Sequence, residues 1–152
     1  MQIEKDFEEL AELFNKHKVD FIIVGGYALA FHGAPRYTGD IDFFVKPDLN
    51  NAEKIMNALI DFGFGSLDFE MKDFSVPGKI VQLGVPPVRI DIITSLSGVS
   101  WKDAYESRVN GKYGKTKVYF IGKKQFLKNK KTTSRPKDLA DIDALKERGQ
   151  RE

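Results

Sequence analysis

Apolar residues near the start of the chain recur at helical spacing, with glutamates and lysines between them, which predicts an amphipathic helix over residues 3–18. The same spacing predicts a helix over residues 47–62 and a last helix over residues 135–148. Shorter helical patterns are found at residues 27–32, 101–105 and 123–128. The chain is therefore predicted to contain several helices, the longer ones with a single apolar face.

Short apolar runs and alternating patterns, bounded by glycine and proline, predict six strands between these helices. The predicted strands are residues 21–24, 40–45, 79–84, 88–93, 109–113 and 117–121. The last four are predicted to form two hairpins, because Val85-Pro86-Pro87 and Gly114 supply turns between them. Helices and strands are mixed along the chain, so we expect an α+β (α/β-like) fold with a mixed, mostly antiparallel sheet flanked by helices.

The composition is that of an ordinary globular protein and excludes several classes. The chain has 152 residues, of which 41% are hydrophobic and 30% charged, and this fits a single domain spanning residues 1–152. The apolar run Phe21–Val24 has the length of a strand, and no apolar run approaches the roughly 20 residues of a membrane-spanning helix. The first ten residues are acidic and polar, unlike a signal peptide. The absence of cysteine excludes disulfides and thiolate metal sites, and we expect a cytoplasmic protein without membrane association.

Basic residues are concentrated in one part of the chain, although the net charge is only +2. Between residues 112 and 131 every charged side chain is a lysine. These lysines are Lys112, Lys115, Lys117, Lys123, Lys124, Lys128, Lys130 and Lys131. Such a segment either faces a polyanion, such as a nucleotide phosphate or RNA, or forms a solvated surface. The sequence alone leaves both interpretations open.

Three aspartates are the strongest candidates for chemistry. Asp40 and Asp42 point to the same side of their predicted strand, because side chains alternate along a strand. If the strand that contains Asp91 lies beside it, three carboxylates meet on one sheet face and repel one another unless a counter-ion binds. A hard divalent cation, Mg²⁺ or Mn²⁺, suits such ligands, and a pair of ions promotes in-line displacement. His17 and His32 are too few for a histidine-rich zinc site.

The turn at Gly25-Gly26 is a second candidate feature, because it directly follows a predicted strand and directly precedes a predicted helix. Glycine has no Cβ, so a phosphate can approach the backbone closely, and a helix N-terminus supplies N–H groups. Many strand-to-helix turns use a glycine pair without binding phosphate. Taken alone, this feature indicates little about function.

Taken together, these residues resemble the DNA polymerase beta-like nucleotidyltransferase superfamily, in which a glycine pair precedes Asp-x-Asp and a third aspartate in an apolar strand. The segments Ile23–Gly33 and Arg36–Val45 are similar to a small prokaryotic branch that includes toxin-type nucleotidyltransferases of abortive infection. The closing segment Arg135–Asp143 resembles the helix start that ends many of these domains. The likeness covers residues 19–147, nearly the whole chain.

The resemblance implies a reaction and a role for each matching residue. The reaction is transfer of a nucleoside monophosphate from an NTP to an acceptor hydroxyl, with Asp40 and Asp42 as metal ligands. Asp91 matches the third carboxylate, which binds the metal and is the proposed general base. Gly25 and Gly26 match the pair that contacts the triphosphate, although Gly26 stands where the superfamily usually has a serine, so one hydroxyl contact is lost.

Four further residues are candidates for binding the nucleotide. Arg36 and Thr38, in the loop before the first aspartate, either contact its phosphate or base or merely solvate the loop. Arg89 shares a strand face with a candidate aspartate, so it contacts a site carboxylate or substrate phosphate, or forms a structural ion pair. Lys137 either reaches the triphosphate or is an exposed lysine at a helix start.

The sequence leaves the acceptor and the partners open. The acceptor hydroxyl could belong to a tRNA 3′ end, a protein side chain or a small molecule. The alternative function is a catalytically inactive module that binds nucleotide or RNA within a toxin–antitoxin pair, to which the lysine-rich segment would contribute. Because 152 residues leave little room for a separate acceptor-recognition domain, we expect an antitoxin partner, a homodimer or a simple acceptor.

Overall fold

The computed structural model describes residues 3–65 and 68–151, which are organised around a six-stranded mixed sheet. The strands are β1 (Phe21–Val24), β2 (Asp40–Val45), β3 (Ile80–Leu83), β4 (Arg89–Ile93), β5 (Val109–Tyr113) and β6 (Thr116–Phe120). They lie in the order β3-β4-β2-β1-β6-β5. The pairs β1–β2, β3–β4 and β5–β6 are antiparallel, whereas β2–β4 and β1–β6 are parallel. The predicted mixed, mostly antiparallel sheet is confirmed.

Helices flank this sheet. Those in the described ranges are α1 (Lys5–Lys16), α2 (Gly25–Phe31), α3 (Leu49–Leu59), α4 (Lys72–Ser75), α5 (Trp101–Glu106), α6 (Lys123–Thr133) and α7 (Pro136–Arg151). A π-helical segment, Ile60–Phe64, continues α3. None of the helices in these ranges combines the length and the apolar character needed to cross a membrane. The predicted α+β class is confirmed.

Aromatic packing joins α1 to one face of the sheet. The ring centroid of Phe14 in α1 lies 5.3 Å from that of Phe21 in β1 and 5.3 Å from that of Phe43 in β2. All three side chains are buried. Burying one such side chain contributes about 1.5–3 kcal/mol, so these contacts hold β1 and β2 side by side at the centre of the sheet.

Alternation along β2 separates core residues from acidic ones. Ile41 and Phe43 are fully buried, whereas Asp40 and Asp42, on the opposite face, are half-buried. The parallel pairing of β2 with β4 places Asp42 directly opposite Asp91. Paired residues of neighbouring strands project from the same face, so the sheet register brings the third aspartate to the side of the first two.

The structure differs from the sequence prediction mainly at helix ends. α2 begins at Gly25 rather than Tyr27, so the glycine pair forms its first turn. α6 continues to Thr133 rather than ending at Lys128. Its second half is rich in lysine, which favours helix but contributes no apolar periodicity. α4 lies in a segment whose pattern assigns no element.

Candidate functional site

Three carboxylates meet on the polar face of the sheet. One oxygen from each of Asp40, Asp42 and Asp91 lies within 4.8 Å of the other two. Alternation along β2 supplies the first two, and the register between β2 and β4 supplies the third. Asp91 is buried and the other two are half-buried. The arrangement concentrates negative charge at one place on the molecule.

Arg89 and Thr38 hold two of these carboxylates. Arg89 donates from Nε to Asp91 Oδ1 and from Nη2 to Asp91 Oδ2, each at 3.0 Å, which is a bidentate ion pair. The same Nη2 donates to Asp40 Oδ2 at 3.1 Å. Thr38 Oγ1 lies 3.0 Å from Asp40 Oδ1 and 3.0 Å from the Asp40 carbonyl oxygen, and it donates to these acceptors. Both residues therefore contact the carboxylate cluster directly.

Burial and mutual repulsion change the acidity of two of the aspartates. Loss of solvent, followed by the charges of Asp40 and Asp91, raises the pKa of Asp42 to about 8. Burial also raises the pKa of Asp91, against the lowering effect of its hydrogen bonds from Arg89. The cluster thus carries more negative charge than the surrounding protein stabilises, which is the condition that a bound cation relieves.

The Gly25-Gly26 turn packs directly against the cluster. Gly25 has a φ of +70°, and a Cβ at this position would overlap the carboxylate of Asp42. A Cβ at Gly26 would lie 2.9 Å from Oγ1 of Thr38. Glycine is needed here because the side chains of Asp42 and Thr38 fill the space that another side chain would take. The triphosphate contact implied by the resemblance stays a prediction.

Arg36 is paired within the protein. Its Nε donates to Asp141 Oδ1 at 2.9 Å and its Nη2 to Asp141 Oδ2 at 3.3 Å. Asp141 is buried, so this ion pair connects the loop before β2 to α7. The guanidinium is therefore not a loosely solvated group of the loop. Its proposed contact with a nucleotide stays a prediction.

Lys130 is the charged residue near the site that sequence reasoning missed. The sequence groups it with surface lysines, but its side chain is only 9% exposed. Its Nζ lies 3.4 Å from Asp138 Oδ1 and 3.6 Å from Asp141 Oδ2, and its charge partly offsets the raised pKa of Asp42. The missed signal is its spacing: Lys130 follows the buried Phe126 by four positions, so both lie on the same side of α6.

Asp138 anchors the start of α7. It is fully buried and accepts from Thr133 Oγ1 at 2.7 Å, from the Arg135 backbone N–H at 3.1 Å and from Arg135 Nε at 2.8 Å. These hydrogen bonds, those from Arg135 above all, hold the pKa of Asp138 well below its usual range. Together with Lys130, Asp141 and Arg36, this carboxylate forms a run of alternating charges between α6, α7 and the loop before β2.

Lys137 stands apart from these contacts. Its side chain is exposed in the first turn of α7, while the adjacent Asp138 is buried. No ion pair or hydrogen bond joins the Lys137 side chain to another side chain described in residues 3–65 and 68–147. The buried cation at this end of the molecule is Lys130. A contact between Lys137 and a triphosphate stays a prediction.

A cavity of about 500 Å³ adjoins the loop before β2. Its wall includes Tyr27, Arg36, Tyr37 and Thr38, and Thr38 also contacts the carboxylate cluster. The ring of Tyr37 is largely exposed to solvent. Ligand sites usually measure roughly 300–1,000 Å³ and combine aromatic walls with a few polar groups, so this cavity is suited to part of a small molecule.

The donor set of the cluster fits a hard divalent cation. Carboxylate oxygens are the ligands that Mg²⁺ and Mn²⁺ prefer, and three carboxylates lie within reach of one another. In the part of the chain that the structure describes, no second group of three acidic or histidine side chains is arranged in this way. The residues present therefore agree with the metal implied by the resemblance.

The site combines a mixed sheet, two aspartates on a central strand, a third on the adjacent strand, and a glycine turn against them, in agreement with the nucleotidyltransferase resemblance of the sequence. Residues 10–112 match the family described as nucleotidyl transferase AbiEii toxin, type IV toxin–antitoxin system. The chain belongs to this family. Membership confirms the toxin-type resemblance and supports nucleotidyl transfer in general, with a nucleotide substrate and an antitoxin partner.

Two solved structures share the fold. A candidate nucleotidyltransferase from Thermotoga maritima superposes with a TM-score of 0.59 at 12% identity, covering 99% of this chain and 97% of the other. An antigenic nucleotidyltransferase-like protein from Paracoccidioides brasiliensis superposes with a TM-score of 0.55 at 20% identity, covering 94% of this chain and 77% of that protein. At these identities the likeness concerns the fold. None of the curated proteins matches the chain in sequence.

Proposed function

We propose that this protein is a metal-dependent nucleotidyltransferase that moves a nucleoside monophosphate from an NTP to an acceptor hydroxyl. The observation that carries the proposal is the convergence of Asp40, Asp42 and Asp91 within 4.8 Å. Three carboxylates held this close, two of them with raised pKa values, are costly for stability. A site for cations that neutralise a triphosphate explains why the fold tolerates that cost.

The three aspartates would hold Mg²⁺ or Mn²⁺. When bound, such an ion supplies positive charge and Lewis acidity for phosphoryl chemistry. Thr38 fixes the orientation of Asp40 through its hydroxyl, and Gly25 allows Asp42 to pack against the turn that begins α2. These contacts keep the carboxylates in place before any ligand arrives, which is how a preorganised site reduces the cost of binding.

The site residues would also bind the nucleotide and accept the proton of the acceptor hydroxyl. Gly25 and Gly26 would offer backbone N–H groups to the triphosphate, while Arg36, Thr38, Arg89 and Lys137 are proposed to contact the nucleotide. The acceptor oxygen forms a bond to the α-phosphorus, the bond from that phosphorus to the bridging oxygen breaks, and pyrophosphate leaves. Asp91 takes the acceptor's proton at a carboxylate oxygen, the role that the sequence resemblance implies for it.

The test is transfer of labelled NTP to an acceptor mixture that contains tRNA and protein, with and without Mg²⁺ or Mn²⁺. Asp42→Asn keeps the side-chain shape and removes one metal ligand, so labelling should fall by about 100-fold or more. The exposed Asp6 of α1 provides a matched control, because Asp6→Asn makes the same chemical change away from the site. Equal labelling by the wild type and Asp42→Asn would refute the assignment.

The domain organisation, the cellular location, the acceptor and the partner of this protein are also proposals. We infer that residues 1–152 act as one cytoplasmic domain and that the acceptor is a tRNA, a protein or a small molecule, with an antitoxin or a second copy as partner. Support comes from the family, which is described as part of a type IV toxin–antitoxin system. Co-purification with an antitoxin, and the class of molecule that becomes labelled in the transfer assay, decide between these options.

A second candidate function is RNA binding that does not depend on catalysis. An open groove of about 790 Å³ runs along α6 and is lined by Lys123, Lys124, Lys128 and Lys131, with Leu127 and Thr132. Clustered lysines bind phosphate backbones with a strong dependence on salt. Lys130 does not belong to this surface, because it is buried.

The RNA-binding alternative is tested with a double variant of the groove. Lys124→Gln with Lys128→Gln should weaken tRNA binding and reduce its salt dependence, whereas Asp42→Asn should leave binding unchanged. Absence of tRNA binding by the wild-type protein at low salt would remove this alternative.

A further inference from the structure

Arg89 is the resident counter-ion of the carboxylate cluster. Three of the six carboxylate oxygens, Asp40 Oδ2 and both oxygens of Asp91, accept hydrogen bonds from this single guanidinium. Among the side chains described in residues 3–65 and 68–147, no other cation lies at ion-pair distance from the three aspartates. The protein therefore neutralises part of the cluster by itself when no ion is bound.

A divalent cation and Arg89 would compete for the same carboxylates. A carboxylate oxygen accepts from more than one partner, so the hydrogen bonds alone do not exclude a metal. The charges do oppose each other, because a guanidinium and a dication on the same two side chains repel strongly where burial limits screening. Metal binding to Asp40 and Asp91 thus favours withdrawal of the guanidinium.

The surroundings of Arg89 allow that withdrawal. Its side chain is 30% exposed, and the partners of its guanidinium in the described residues are the two carboxylates alone. Its backbone N–H is held by the carbonyl oxygen of Gly39 at 3.1 Å, so the strand stays in register while the side chain changes rotamer. A long arginine side chain can follow the protein surface and keep its charge in water.

We propose that Arg89 competes with the divalent cation for Asp40 and Asp91 and, once the metal is bound, transfers its guanidinium to the phosphates of the incoming nucleotide. This inference rests on the proposed function, since it concerns the same carboxylate site. A guanidinium binds phosphate in the same bidentate manner in which it binds the Asp91 carboxylate. Arg89 therefore couples the two ligands, because metal entry releases a phosphate-binding group.

The first measurement is Mn²⁺ binding to the protein alone, followed by electron paramagnetic resonance. Arg89→Gln removes the competing charge, so Mn²⁺ should bind about tenfold more tightly than to the wild type, equivalent to about 1.4 kcal/mol. Lys72→Gln is the control, because it removes one positive charge from an exposed lysine in α4. If Arg89 instead holds the carboxylates in a metal-binding arrangement, Arg89→Gln binds Mn²⁺ equally or more weakly, and the proposal is overturned.

The second measurement follows inorganic triphosphate with and without Mn²⁺ by calorimetry. In the wild type, Mn²⁺ should raise triphosphate affinity by a larger factor than in Arg89→Gln, since only the wild type gains a released guanidinium. An equal factor in both proteins contradicts the transfer to phosphate.

A conservative variant covers the case in which Arg89→Gln does not fold. Arg89→Lys keeps one charge but cannot bridge both carboxylates with a fork of donors, so its Mn²⁺ affinity should exceed that of the wild type by a smaller factor. If the wild type and both Arg89 variants fail to bind Mn²⁺, the proposed function falls together with this inference. If the wild type binds Mn²⁺ and the folded variants bind it no more tightly, this inference alone is wrong.

Discussion

Two groups of charged side chains lie near the polar face of the sheet, and the protein shifts the pKa of their carboxylates in opposite directions. Asp138 is surrounded by donors, and its pKa is lowered. Asp42 is partly buried beside other carboxylates, and its pKa is raised to about 8. The first arrangement stabilises the folded state, whereas the second costs stability and favours a ligand of opposite charge.

The contact between Gly25 and Asp42 predicts a specific effect of a single methyl group. An alanine at a positive φ costs about 1–2 kcal/mol anywhere in the chain, and at Gly25 the methyl would also displace the Asp42 carboxylate. Gly78 is a matched control, because its φ is +83° and a Cβ there meets nothing within 4 Å. Gly25→Ala should therefore lose more unfolding free energy than Gly78→Ala, and it alone should weaken Mn²⁺ binding. Denaturant unfolding and Mn²⁺ titration of both variants measure the difference, and equal losses would contradict the overlap.

The lowered pKa of Asp138 predicts how stability depends on pH. Because the folded-state pKa lies below the ordinary value of 3.8, the unfolded chain takes up a proton first as the pH falls, and the contribution of Asp138 is lost. Asp138→Asn removes one of the two buried carboxylates that pair with Lys130 and should cost about 3–5 kcal/mol at pH 7. The gap in unfolding free energy should stay constant above about pH 5 and shrink below about pH 4. Asp143→Asn, at an exposed position of the same helix, should show no such trend.

At the residue scale, the sequence predicted those site residues whose positions follow from the alternation of side chains along a strand. Asp40 and Asp42 sit two positions apart between apolar residues, so their common face follows from local geometry alone. Lys130 offered only its spacing of four from Phe126, because its burial depends on Asp138 and Asp141, carboxylates of another helix. A lysine that is neutralised by distant residues looks in the sequence like any surface lysine.

Among the helices, α3 shows how one buried amide joins an element to the sheet. Asn51 in its first turn accepts from the Asp20 N–H at 2.8 Å and donates to the carbonyl oxygens of Asp20 at 3.1 Å and Lys46 at 3.0 Å. Those residues come just before β1 and just after β2, so Asn51 ties together the ends of the two central strands.

Replacing Asn51 should therefore affect the whole fold. Asn51→Ala leaves the partly buried backbone groups of Asp20 and Lys46 without their side-chain partner, which costs about 1–3 kcal/mol. Asn57→Ala, an exposed position of the same helix, should change stability by less than about 0.5 kcal/mol. Chemical denaturation of both variants provides the comparison. A similar change in both would show that the Asn51 contacts do not decide the effect.

Element positions were largely predictable, and element ends were not. β1 is continuous in apolar residues and β2 alternates, so both were predicted with the bounds that the structure shows. The last turns of α6 depend on tertiary contacts of Lys130 and on the αL residue Ser134 that ends the helix, neither of which leaves a periodic signal.

For the molecule as a whole, the pairing of β2 with β4 could not be predicted from any local sequence pattern. From the sequence, Asp42 and Asp91 were expected to meet only if their two strands were neighbours. Strand order is a property of the complete sheet, so no local pattern could show that they are. The structure meets that condition through a parallel pairing of strands that are far apart in the chain.

Metal binding at such a site should stabilise the entire protein, because the unfolded chain does not bring β2 and β4 together. Mn²⁺ at about 100 times its dissociation constant should add about 2.7 kcal/mol to the unfolding free energy. For a chain of this size that is a rise in Tm of about 5–10 °C. Asp42→Asn should abolish the rise and, in EDTA, should unfold at a higher temperature than the wild type, because the cost of burying this carboxylate beside two others is removed. A lower Tm for Asp42→Asn in EDTA would show that the carboxylate stabilises the metal-free fold.

The pairing of Asp40 with Arg89 across 49 positions also has a consequence during synthesis. A ribosome that has made only the first half of this polypeptide has produced the aspartates of β2 without the strand that completes their surroundings. The carboxylate cluster is therefore completed only after β4 has emerged from the ribosome. Products that end before β4 should therefore lack the complete carboxylate site and bind no Mn²⁺ there.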